Sequence, residues 1–85
     1  MDEAQLATQT AKLVDVFADR VPDEELDGLR SMASGGEWGE LLDLLVAVLE
    51  QTGAAVSTSE RDQLQLVLSG WGLPTAALGH LTADS

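Results

Sequence analysis

The residues of this chain that could do chemistry are few. It has no cysteine and no tyrosine, and its one histidine is His80. A lone imidazole with no second ligand and no paired base supports neither a metal site nor a nucleophilic triad, so His80 is expected to be an ordinary surface side chain. The glycine-rich run "SGGEWGE", Ser34 to Glu40, could be taken for a phosphate loop. It lacks the Lys and the Ser/Thr that such a loop needs, and no strand precedes it, so it is expected to connect two helices. The acidic run "DEELD", Asp23 to Asp27, sets carboxylates on alternate residues as a calcium loop does, but without the loop glycine and the distant Glu. A phosphopantetheine arm would need an Asp-Ser at the start of a central helix, and the only Asp-Ser is Asp84-Ser85. No cofactor, no metal and no enzymatic activity are therefore expected. What remains is charge.

The 85 residues carry 15 acidic and 4 basic side chains, a net charge of −11. Phosphate recognition needs a basic footprint, and anionic lipid surfaces attract basic segments, so neither nucleic acid nor membrane is an expected partner. The hydrophobic fraction of 45% is that of a folded domain and not of a disordered tail. Without cysteine nothing requires an oxidising compartment. The opening "MDEAQLATQTAK" is acidic and polar, unlike a signal peptide, and a cytoplasmic location is expected.

Glycine and proline cut the chain into segments of helical period. The first runs from Glu3 to about Asp19, with Leu6, Leu13 and Phe17 on one stripe, Thr10 between them and Val14 at the edge. Pro22 is expected as the first residue of a second helix, with Asp23, Glu24 and Glu25 filling its first turn and Leu26, Leu29, Met32 and Ala33 as its apolar side. The third, Glu37 to about Thr52, has the strongest pattern: Trp38, Leu41, Leu42, Leu45, Val48 and Leu49 form one broad apolar face. Ser57-Thr58-Ser59-Glu60 has the form of a capping box and opens a fourth helix through Leu64, Val67, Leu68 and Trp71. No segment alternates with period two, so no sheet is expected. The predicted fold is a single all-α domain, residues 1–85: a compact bundle of four helices, with at most a short fifth turn near Ala77 and Leu78, and frayed ends at about 1–3 and 80–85.

The third helix carries the feature that asks for a function. At ~100° per residue, Glu40, Asp43 and Glu50 fall together on the side away from Trp38, with Ala47 among them. A solvated face usually mixes signs, because Glu–Lys pairs one turn apart add stability. Here no cation occurs between Arg30 and Arg61, and the acids Asp23, Glu24, Glu25, Asp27, Glu37, Glu40, Asp43 and Glu50 face only Arg30 in sequence. Such an asymmetry steers a basic partner.

The order of parts is similar to that of the small helical immunity proteins of bacterial polymorphic toxin systems, the MafI-type and CdiI-like proteins of contact-dependent growth inhibition. The residues that carry the likeness are Pro22-Asp23-Glu24-Glu25, then Gly36-Glu37-Trp38-Gly39-Glu40-Leu41-Leu42-Asp43-Leu44-Leu45, then Val56-Ser57-Thr58-Ser59-Glu60 and Trp71-Gly72-Leu73. Leu41-Leu42 stands where that family favours Ala-Leu, and Asp43 where it favours Glu. The resemblance implies an inhibitor that neutralises a cognate basic toxin, often a nuclease, by binding alone. By carry-over Glu37 and Asp43 match acidic positions of the family. With Glu40 and Glu50 from the helix wheel, and Asp23, Glu24 and Asp27 from the second helix, they are the expected partner-binding residues. The alternative is a helical docking module or homodimerising structural protein, suggested by Leu44 and Val46, which lie off the main stripe of the third helix and could form an exposed seam. A homo-oligomer is the less favoured expectation.

Overall fold

The computed structural model describes residues 1–84. It is a small all-α bundle of four helices: α1 (Glu3–Phe17), α2 (Asp23–Ser34), α3 (Trp38–Thr52) and α4 (Thr58–Gly70). Single 3₁₀ segments follow α1 (Ala18–Arg20) and α4 (Ala76–His80). Local chemistry sets most boundaries. Asp2 accepts the Gln5 N–H at 2.8 Å and donates its own N–H to Gln5 Oε1 at 3.1 Å, a reciprocal cap at the start of α1. Ser57 and Glu60 do the same for α4. Pro22 proves to be the cap before α2 and not its first residue. The ends of α2 and α4 are built alike. Gly36 and Gly72 take φ of 70° and 73°, and the next N–H reaches back to Met32 O at 2.9 Å and to Leu68 O at 2.8 Å, a left-handed turn that satisfies the terminal carbonyls.

The core gathers around α3. Leu41, Leu42, Leu45 and Leu49 are completely buried, against Phe17 and Leu13 of α1, Leu29 of α2 and Leu64 and Val67 of α4. Each such leucine contributes roughly 1.5–3 kcal/mol by leaving water. The seam expected at Leu44 and Val46 is absent. Val46 is 7% exposed, and Leu44 packs half-buried over α2, where a Cβ on Gly28 would lie 3.9 Å from Leu44 Cδ2. The single-helix wheel put these residues outside the stripe; neighbours on both flanks of α3 cover them. Thr10 is the one buried polar residue among those described. Its hydroxyl donates to Leu6 O at 2.6 Å and accepts from Trp71 Nε1 at 3.0 Å, so α4 is keyed onto α1. The Trp71 ring stacks on Trp38 with centroids 6.5 Å apart and planes 14° from parallel.

Two short strands correct the expectation of no sheet. β1 (Ala55–Ser57) and β2 (Thr82–Asp84) pair in parallel, with Val56 opposite Ala83. Before β2 the chain carries buried Leu78 and Leu81; of the end expected to fray, 80–85, Ser85 lies outside the described residues. A parallel pair needs a crossover between its strands, and α4 supplies it.

Arg20 joins this ribbon to the bundle. Its guanidinium lies 4.7 Å from the centre of the Phe17 ring. Nη1 donates to Ala55 O at 3.0 Å and Glu60 Oε1 at 2.7 Å, and Nη2 to Val16 O at 3.0 Å and Glu60 Oε2 at 2.6 Å. This two-pronged bond from Arg20, with the Ser57 backbone N–H, holds the Glu60 carboxyl down at about 2. A lowered folded-state value makes the bond's stability present above the ordinary carboxylate range and lost as pH falls through that of the folded protein. Glu60→Gln keeps the cap geometry but removes the charge. It is expected to cost on the order of 1–2 kcal/mol at pH 7, measured by urea unfolding, with the gap from the parent closing between about pH 4.5 and pH 2.

Candidate acidic interface

The seven acids expected to meet a partner are all exposed. On α3, Glu40, Asp43 and Glu50 project from the side opposite the buried leucines, spread over about 15 Å of helix. The structure adds a wall beside two of them. A shallow groove of about 150 Å³ runs between α3 and the segment after α4, with Asp43, Ala47 and Glu50 on one bank, Pro74 and Ala77 on the other, and Val46 below. At its end His80 Nδ1 stands 3.5 Å from Glu50 Oε1. No local pattern in the sequence links these two residues, which stand 30 positions apart.

The α2 acids divide. The three-residue connection between α2 and α3, with the Gly28–Leu44 contact, makes the two helices antiparallel neighbours. Glu24 lies one turn from Gly28 and Glu40 one turn from Leu44. Both therefore run along the seam between the two helices. Asp23 and Asp27 are turned further round α2, and Glu37 occupies the connection, where its side chain caps nothing. The structure thus distributes the seven over a seam, a groove bank, an outer helix face and a loop, and does not focus them on one point. Among the described residues no group of three or more acids or histidines is arranged to hold a metal ion.

The cations explain why this surface stays bare. Arg20 is committed to Glu60 and touches Asp19 at 3.4 Å. Arg30 reaches across to Asp15 on α1 at 3.2 Å. Lys12 and Arg61 form no ion pair among the described residues, and both belong to α1 and α4. Of the seven acids only Glu50 has an ion-pair partner among the described residues, and that partner is His80, cationic only when protonated.

A stripe shaped by folding alone would gain nothing from its repulsion. Asp43→Lys, which creates an opposite-sign pair with Glu40 one turn away, is expected to raise the thermal midpoint by about 2–4 °C at low salt, for ~0.5 kcal/mol. Calorimetry at high salt should show the gain shrink as screening removes the repulsion; a loss of stability would mean that Asp43 supports the fold. No family model, no curated protein and no solved structure matches the chain.

Proposed function

We propose that the chain is an immunity-type inhibitor, a non-catalytic protein that binds a cognate basic toxin and neutralises it in the cytoplasm of the producing cell. The toxin class that fits is a nuclease, whose groove must be cationic to hold its own substrate. The observation that carries the reading is the acidic surface of α2 and α3, from which Arg20 and Arg30 are diverted to Glu60 of α4 and Asp15 of α1. The order of motifs along the chain favours the same reading. Among the described residues no helix is long and apolar enough to cross a membrane.

The competing reading, a docking module or dimer built on α3, rested on an exposed Leu44–Val46 seam. With Val46 buried and Leu44 packed against α2, α3 offers no such seam.

In this reading the acids accelerate encounter and orient the partner, and desolvated contacts beneath them set how long the complex lasts. Co-expression with the toxin encoded beside this gene is expected to restore growth, and failure to do so would overturn the proposal. The double variant Glu40→Lys with Asp43→Lys is expected to slow association about tenfold or more and to flatten its salt dependence. Stopped-flow binding to the toxin domain reads both quantities, and an unchanged association rate would take these two acids out of the interface.

A further inference from the structure

The groove between α3 and the segment after α4 combines two kinds of surface. Its floor is aliphatic, with Val46 and Leu68 buried beneath it, and its walls are made by the small side chains of Ala47, Pro74 and Ala77. Its charged groups are two carboxylates, Asp43 and Glu50, two helical turns or about 10 Å apart. The two are not equivalent. Glu50 has His80 at 3.5 Å, at its own end of the groove. Asp43 has no ion-pair partner among the described residues, and Glu40, one turn away, adds to the negative potential at that end.

None of the chain's own cations serves this groove. Arg20 and Arg30 are held by Glu60 and Asp15. Lys12 lines a separate groove between α1 and α4, beside Gln9 and Gln63, and Arg61 lines a recess beside the two strands.

We propose that the α3 groove receives one arginine side chain of the basic partner, its methylenes lying along Ala47 and Pro74 and its guanidinium on Asp43. The proposal rests on the inhibitor reading for the source of that arginine, and adds the point at which it is anchored. Size and charge together select the occupant. At about 150 Å³ the groove is smaller than the ~300–1,000 Å³ of small-molecule sites, and suits a single side chain. An acidic group or a phosphate is repelled from both ends. A purely apolar side chain covers the floor but gains nothing from Asp43. An aliphatic stem that ends in a cation matches floor and rim at once. Arginine fits better than lysine, because its guanidinium is more weakly hydrated and its fork meets both oxygens of a carboxylate. A second copy of this chain would bring its own net charge of −11 against the same charge.

A seated side chain does something that the other acids do not. Charge spread over α2 and α3 acts at a distance and speeds encounter, whereas a filled groove slows departure.

The probe is the capped tripeptide Gly-Arg-Gly, titrated into the isotope-labelled full chain at low salt and followed by NMR, with the citrulline tripeptide as its uncharged counterpart. Shifts are expected to concentrate at Asp43, Ala47 and Ala77, with a millimolar dissociation constant that is ~3-fold or more weaker for citrulline. Asp43→Asn removes the charge, and Ala47→Met fills the groove while leaving every charge in place. Each is expected to weaken the arginine peptide ~3-fold or more, with far-UV circular dichroism establishing that the helical fold is kept. Diffuse attraction to the acidic surface would respond to the first substitution and not to the second. Shifts spread evenly over α2 and α3, or binding indifferent to Ala47→Met or to citrulline, would overturn the proposal. So would shifts at Ala47 that depend on protein concentration without peptide, since they would place a second copy in the groove. No toxin enters this titration. A chain that seats the peptide but fails to restore growth overturns the inhibitor reading alone, and one that restores growth with an unresponsive groove overturns this inference alone.

Discussion

The guanidinium of Arg20 is the point on which the arrangement turns. Six contacts converge on it: the Phe17 ring, two backbone carbonyls, both oxygens of Glu60 and, more loosely, the Asp19 carboxylate. Through Phe17 it is anchored to the core, and through Ala55 O it holds the entrance to the strand ribbon. Through Glu60 it reaches the cap that starts α4. A planar donor fork fits this task better than an ammonium, because Nη1 and Nη2 each reach one carboxylate oxygen and one backbone carbonyl at once. In a chain with 4 basic residues, committing one to an internal junction has an effect at a distance. Of the seven acids on α2, α3 and the turn between them, only Glu50 has an ion-pair partner among the described residues, so the surface electrostatics follow in part from how the fold is fastened.

Much of this was legible in the sequence because it rests on local chemistry. The Ser57–Glu60 cap, the stops at Gly36, Gly53 and Gly72 and the leucine face of α3 each depend on residues within a turn or two of one another, and each is found where its pattern places it. What was not legible depends on distance along the chain. β1 and β2 are three residues each and 27 apart in register, too short for alternation to show. Val46 was misplaced because a helix wheel assumes one buried side, while α3 is covered on more than one. The same limit applied to the surface. That the acids would be exposed followed from the lack of neighbouring cations, but the groove bank beside Asp43 and Glu50, and the approach of His80, arise only when the C-terminal segment folds back.

The molecule therefore has two unlike sides. α2 and α3 present carboxylates over a densely packed interior, while α1 and α4 present an apolar groove, glutamines and Lys12, which forms no ion pair among the described residues. The division has a simple physical origin. α3 is so apolar that its one free stripe can carry only polar residues without exposing a large patch. α1 and α4 instead leave Val16 and Leu66 exposed.

The stack of Trp38 on Trp71 joins these two sides, since one ring opens the acidic α3 and the other closes α4. The chain has 2 tryptophans and no tyrosine, so its near-ultraviolet light absorption comes almost wholly from this one pair. Two indoles 6.5 Å apart exchange excitation as a coupled unit. The partly buried tryptophan pair is thus the protein's own optical gauge, one whose signal depends on the relative placement of α3 and α4 and needs no attached dye.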